Sequence, residues 1–333
     1  VQSDLHPQSV ALLERLGAPP TRYSVDLARQ GHARTSQWIC GAAPSIDKID
    51  EWLVPADFAP GVHALERARL QSVDGLQQLA QPVSVRVRRF VPNAQTRTAL
   101  VWLHGGGWVQ GTLDTNDIVC RHLALACDAQ VLAVDYRLSP EVSFPAPIGD
   151  AARAFAWVHG QASSLNLNPD RIALGGDSAG GHLAITAARW LREAGLPTPA
   201  ALSLVYPVAD RGLNTPSMQQ YESGYYLSRA QMNWFWSIFL GGLAVPDTHP
   251  DLSPVLASDL AGLPATHVLL AQCDILRDEG LALAARLAQA GVPVSLDCLP
   301  GMLHGFIRFG ACVDGAHEAT ACVGRQLKHR LSG

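Results

Sequence analysis

The chain predicts an α/β fold, a mainly parallel sheet wrapped by helices with a helical cap over one end. Three observations carry this. From about residue 80 onward, short apolar runs alternate with longer helical stretches. Most of those runs are apolar throughout, as strands covered on both faces are. Two dense glycine clusters each fall directly after such a run.

Taken in order, residues 1–65 read as helices and loops broken by Pro19, Pro20 and Pro44, and are expected to form the N-terminal part of the cap. Residues 66–210 are expected to form the first part of the sheet core. "VSVRVRRFV" (83–91) alternates at its start, with Val83, Val85 and Val87 on one face of a half-exposed strand. Continuous apolar runs then predict strands over 98–103, 131–136, 171–176 and 201–207. Helices are predicted over about 115–127, 147–160 and 179–194. Residues 211–250 break the rhythm and read as the cap insertion, with Ser228 as the N-cap of a helix over "RAQMNWFWSIFL". The second part of the core, 251–333, has strands at 266–272 and 294–300 and a helix at about 278–290. There Leu283, Leu287 and Ala290 recur at helical spacing until Gly291 and Pro293 stop it.

Composition narrows the function classes. With 333 residues, 48% hydrophobic and 16% charged, the chain has an ordinary globular make-up, which argues against disorder. A net charge of −4 supplies no basic footprint for nucleic acid. No run of 18 apolar residues predicts a membrane span. The seven cysteines include no C-x-x-C pair, so zinc is not expected and the thiols read as reduced and mostly buried. The first residues show no basic stretch leading into an apolar one. Together these features predict a cytoplasmic protein, and nothing in the sequence calls for a metal or an organic cofactor.

The chemistry concentrates in the glycine clusters. Gly176-Asp177-Ser178-Ala179-Gly180 fits G-x-S-x-G between a predicted strand and a predicted helix. In that setting the turn lifts Ser178 onto its apex, flanking residues must be tiny, and the helix N-terminus favours negative charge. The alternative is a glycine-rich turn around an ordinary serine. The second cluster, "HGGGW" (104–108), follows another strand. The N–H groups of Gly105 and Gly106, with that of Ala179, are candidate donors to an oxyanion. A dinucleotide loop does not fit, since no third glycine falls in register. His104 reads as a residue that orders the loop.

Five segments in order, HGGGW, "DYRLSPEVSFPAP", GDSAGG, "DILRDEG" and "GMLHGF", resemble the hormone-sensitive-lipase family of α/β-hydrolase carboxylesterases over residues 85–310. The resemblance implies an α/β-hydrolase fold, Ser178 as nucleophile, His304 as base, Asp274 as acid and the HGGG glycines as oxyanion donors. The residues support these roles independently. Asp274 follows the run "HVLLAQC", and His304 sits on a turn bounded by Gly301 and Gly305, so both should lie at the carboxyl edge of the sheet, where ligand sites form. Rivals are Asp278, four residues past Asp274, and His182, His267 and His317, which read as structural. Glu141 and Asp177 read as hydrogen-bond partners that stiffen the loops, and Asp150 as part of a helix start. The chain departs from the family pattern at Ser139, Ile275 and His182, where alanine, proline and asparagine are frequent.

Cap aromatics include Tyr225, Tyr226, Trp234, Phe235, Trp236 and Phe239. At helical spacing these are core residues or the wall of a substrate pocket. Trp108, Tyr225 and Trp234 are the candidates for substrate binding. The expected function is hydrolysis of small, uncharged, short-acyl carboxylic esters through an acyl-enzyme. The alternatives are an amidase or deacetylase with the same triad, and a non-catalytic receptor like the plant gibberellin receptors. Those resemble the family but have lost the catalytic histidine, which His304 here retains. Dimers are frequent in the family, so a homodimer is a further expectation.

Overall fold

A computed structural model describes residues 4–18, 22–71 and 83–331. Pro19 and Pro20, read above as helix breakers, lie outside the described residues. The elements follow in chain order as α1 (Pro7–Leu16), α2 (Val25–Ile39), β1 (Lys48–Val54), α3 (Pro60–Gln71), β2 (Val85–Val91), β3 (Ala99–Leu103), α4 (Asp117–Cys127), β4 (Gln130–Asp135), α5 (Ala146–Gly160), β5 (Ile172–Asp177), α6 (Ala179–Glu193), β6 (Leu202–Val205), α7 (Pro216–Gln220), α8 (Arg229–Leu240), β7 (Thr266–Cys273), α9 (Arg277–Gln289), β8 (Val294–Leu303) and α10 (Gly315–Leu331).

The described strands form one eight-stranded sheet in the order β1-β2-β4-β3-β5-β6-β7-β8. β3 through β8 pair in parallel, while β2 is antiparallel to both β1 and β4. The central strands β3, β4, β5 and β6 are buried at nearly every position, which is why they read as unbroken apolar runs.

The chain order reverses around β3. It runs from β3 to β4 on one side, then returns to β5 on the other. A crevice opens at the carboxyl ends of strands at such a switch point. Register places Leu103, the last residue of β3, opposite Gly176 of β5. The loop 104–108 and the turn at Ser178 therefore leave the sheet side by side. Their approach depends on Gly180, where a Cβ would come 1.9 Å from the Leu103 carbonyl oxygen.

One expectation is corrected. Residues 48–54, read above as helix or loop, form the edge strand β1, aligned antiparallel along β2. Its alternation was hidden by charge. Asp50 and Glu51 pair across the ladder with Arg89 and Arg88, which is how an exposed edge strand stays solvated and blunted. The helix over 229–240 starts as expected, with the Ser228 hydroxyl accepting from the Gln231 N–H at 3.1 Å. Asp150 is fully buried in α5, where Arg137 and Arg153 neutralise it.

Candidate active site

Ser178 occupies the turn between β5 and α6 with φ 55° and ψ −120°. That backbone is unfavourable for a residue with a Cβ, and such strain persists only where the surroundings enforce it. Here the Ser178 N–H donates to the Val205 carbonyl at 2.9 Å, and its own carbonyl accepts from the His182 and Val208 N–H groups. The hydroxyl stands at the helix N-terminus, where negative charge is favoured.

Asp274 follows the last residue of β7, and His304 follows the last residue of β8. The parallel sheet brings these distant residues to one edge. The His304 Nε2 lies 2.9 Å from the Ser178 Oγ, across 126 residues of sequence. Its Nδ1 lies 2.7 Å from the Asp274 Oδ2. The other oxygen of Asp274 accepts the Leu276 N–H at 2.9 Å, which fixes the carboxylate plane. All three side chains are buried, and the Tyr206 ring packs 4.7 Å from the imidazole. A hydroxyl, an imidazole and a buried carboxylate in this line can move a proton off the hydroxyl and hold the resulting imidazolium.

The rivals lie elsewhere. Asp278 accepts the Ser217 N–H and pairs with Arg277. His182 is fully buried, with its Nε2 2.9 Å from the Asp251 carbonyl oxygen, and burial pulls it down to about 4. His267 sits beside Asp297, and His317 packs edge-on to His122. Among the described residues, His267, Asp297 and Cys322 form a group whose donor atoms lie within 4.8 Å of one another and could hold a metal ion.

The glycine loop departs from expectation at one position. The Gly105 N–H donates to the Asp177 Oδ1 at 2.8 Å, so this donor is committed within the protein. The N–H groups of Gly106, Gly107 and Ala179 make no hydrogen bond among the described residues. Gly106 has φ 124°, and a Cβ there would meet the Gln110 carbonyl oxygen at 2.1 Å. Asp177 is thus a clamp on the loop. Burial raises its carboxyl, opposed by the Arg308 cation and the Gly105 N–H. His104 holds the loop from below, its Nδ1 2.8 Å from the Gly105 carbonyl oxygen and its ring stacked on Tyr136. Burial keeps His104 below its ordinary value, so it supports the loop as a neutral ring. Glu141 takes two hydrogen bonds from Arg29, tying α2 to the loop after β4.

Ser178 and His304 open onto a cavity of about 790 Å³ bordered by α1, α2, the segment 222–235 and the glycine loop. Three expected wall residues are absent from its lining. Trp108 is fully buried, stacked on Phe239 at 4.5 Å and packed against Trp236 and His182. Tyr225 turns inward against Tyr221, and Trp234 stacks on Tyr23. The neighbouring residues Tyr226 and Phe235 line the cavity instead, with Leu13, Leu27 and Leu227. For Trp234 and Phe235, both on α8, helix phase decides this, since consecutive helical residues point about 100° apart. Tyr225 and Tyr226 lie in the turn before α8, where Tyr226 takes φ 73°. Two functional-looking residues escaped the sequence reading. Glu279 is buried and accepts the Ala209 and Asp210 N–H groups, bracing the loop after β6. Its only sequence signal is an acidic residue shortly after Asp274. Arg308, four residues past His304, also lines the cavity.

The family described as the alpha/beta hydrolase fold matches residues 100–308. The carboxylesterase NlhH of Mycobacterium tuberculosis is 40% identical over 291 residues, covering 85% of this chain and 88% of that protein. An ethyl acetate hydrolase of Pseudomonas putida is 38% identical over 234 residues, covering 70% of this chain and 73% of that one. Among solved structures, a hyperthermophilic esterase from the archaeon Pyrobaculum calidifontis superposes with a TM-score of 0.86 at 30% identity, covering 99% of both chains.

Proposed function

This chain belongs to the hormone-sensitive-lipase branch of the α/β-hydrolase-fold family and is a carboxylic ester hydrolase; on that premise we propose that it cleaves short-acyl carboxylic esters by nucleophilic catalysis at Ser178. The observation that supports this reading is the unbroken line from Ser178 Oγ to His304 Nε2 at 2.9 Å and from His304 Nδ1 to Asp274 Oδ2 at 2.7 Å.

His304 accepts the Ser178 proton as Oγ attacks the ester carbonyl carbon. The carbonyl oxygen becomes an oxyanion and takes hydrogen bonds from the N–H groups of Ala179, Gly106 and Gly107, one donor being worth about 3 kcal/mol of barrier. Collapse breaks the bond to the alcohol oxygen, which leaves with the proton held on His304. Water then attacks the acyl-enzyme, giving its proton to His304, and the acid departs as Ser178 is restored. Asp274 fixes the imidazole tautomer and offsets its charge. Helices α1 and α2 and residues 211–250 act as the cap that shields these steps, and β1 belongs with the core.

The test compares wild type with Ser178→Ala on p-nitrophenyl acetate and butyrate. The expected result is serine-dependent turnover of both, with kcat in the variant lower by up to about 10⁶-fold. Turnover that survives in Ser178→Ala overturns the assignment.

A further inference from the structure

Resting on this esterase reading, we propose that Arg308 selects esters that carry a second, free carboxylate, and that the polar corner it forms with α2 is the subsite for that group. Arg308 lies in the short turn after His304 and lines the same cavity as Ser178. It is only 7% exposed. Its Nη2 donates to the Ser36 hydroxyl at 2.6 Å, while its Nε is buried without a hydrogen-bond partner. No carboxylate among the described residues lies within ion-pair distance of it.

A buried cation with no paired anion is costly, and native interiors pair or ligate such charges. The protein supplies only partial compensation. Asp177 senses the Arg308 charge. Its oxygens are engaged elsewhere, with Oδ1 on the Gly105 N–H and Oδ2 facing the Tyr206 hydroxyl at 3.5 Å. The Cys40 thiol beside the guanidinium is pushed up by burial and stays neutral. His32, on the cavity wall, is held well below its ordinary value by burial and by the Arg308 charge, so it adds no second cation. Glu14, Glu222 and Arg22 also border the cavity. Both glutamates are exposed, where water and salt screen them.

A guanidinium offers a planar fork of donors that matches a carboxylate, and such charge-assisted pairs are strong where water is excluded. The rest of the wall is largely apolar, with Leu13, Leu27 and Phe235 among it. The chemistry that fits both is an ester with an apolar body and one remote carboxylate. This replaces the expectation of uncharged substrates. The carboxylate can sit on the acyl side or on the alcohol side, and the experiment separates the two.

Two substrate pairs are followed by pH-stat: monoethyl glutarate against ethyl pentanoate, and 4-acetoxybenzoate against 4-acetoxytoluene. In wild type, kcat/KM is expected to favour the charged member of at least one pair by about tenfold or more, the usual scale for a hydrogen bond to a charged group. The favoured pair identifies the side. Arg308→Gln should lower that charged-to-neutral ratio by about 10- to 100-fold, and Arg308→Lys should keep part of it. Equal or poorer turnover of the charged member in both pairs, or a ratio unmoved by Arg308→Gln, overturns the proposal. Failure of the esterase reading is a different result, absence of turnover for the neutral members as well. Should Arg308→Gln not fold, wild type still decides. Pentanoate should inhibit neutral-ester turnover at about tenfold lower concentration than pentanamide, and equal inhibition counts against the subsite.

Discussion

The floor of the cavity and its roof are assembled by different means. On the floor, Ser178, Asp274 and His304 stand on loops leaving β5, β7 and β8, and backbone groups fix them: Val205 O holds the Ser178 N–H, and the Leu276 N–H holds Asp274. The roof is joined largely by side chains, with isolated backbone bonds such as the Phe144 N–H to the Phe239 carbonyl at 2.8 Å and the Ala311 N–H to the Ile39 carbonyl at 3.0 Å. Tyr23 stacks on Trp234, the Phe235 ring crowds Gly107, and Arg29 grips Glu141. Backbone ties to a parallel sheet tolerate little movement, while side-chain contacts can exchange partners. The floor should therefore control the chemistry of bond breaking, and the roof which esters reach it.

The largest expected difference is in kcat. His304→Ala and Asp274→Asn should lower it by about 10⁴-fold or more, with little change in melting temperature. Steady-state kinetics beside thermal melts checks this, and a large loss of stability in Asp274→Asn would show that the floor's carboxylate is structural. Next comes Gly106→Ala. Its Cβ would meet the Gln110 carbonyl oxygen at 2.1 Å, so the loop must shift and its N–H must turn away. A loss of about 10²- to 10³-fold in kcat is expected, with KM changed far less.

The acid side of stability sharpens the comparison, because His182 lies where the floor meets the roof, its ring edge-on to Trp236 and Phe239 of α8. Its folded-state value of about 4 is below the ordinary value of 6.5. Below pH 6.5 the unfolded chain takes up a proton that the folded chain refuses. Stability is then lost as pH falls from about 6.5 to about 4, by roughly 3 kcal/mol in all. Urea denaturation at pH 7, 5.5 and 4.5 should show this slope in wild type and a shallower one in His182→Asn. Parallel slopes in the two proteins would remove His182 from the account. The smallest effect belongs to the roof. Phe235→Ala should move KM and the preference among acyl lengths by up to about tenfold, consistent with one lost apolar contact surface, while leaving kcat for acetate esters within a few-fold.

The same division explains what the sequence made legible. Ser178 could be placed because a turn that demands small residues announces itself, and Asp274 because it follows a mostly apolar strand, buried at nearly every position. His304 follows the half-exposed edge strand β8, so its role rested on the family resemblance and on its glycine-bounded turn. The edge strand β1 went unseen because Asp50 and Glu51 interrupt its alternation, and only the facing arginines of β2 make sense of them. Gly105 was expected to offer its N–H to a ligand, yet residue type says nothing of where a backbone donor points, and Asp177 claims it. Along α8 the aromatic content was plain, but one step of helical phase separates Phe235 on the cavity wall from Trp234 stacked on Tyr23. Arg308 carries no local signal, since its unpaired charge is a property of the folded surroundings.

The central claim, that Ser178 forms the covalent intermediate under the control of His304, is tested most directly by trapping. Diethyl p-nitrophenyl phosphate is added, and the modified peptide is found by mass spectrometry. The Ser178 oxygen should displace p-nitrophenolate and form one phosphate ester per chain, with complete loss of activity, and His304→Ala should label far more slowly. Modification at another residue, or full ester turnover by protein already carrying the group on Ser178, would contradict the account.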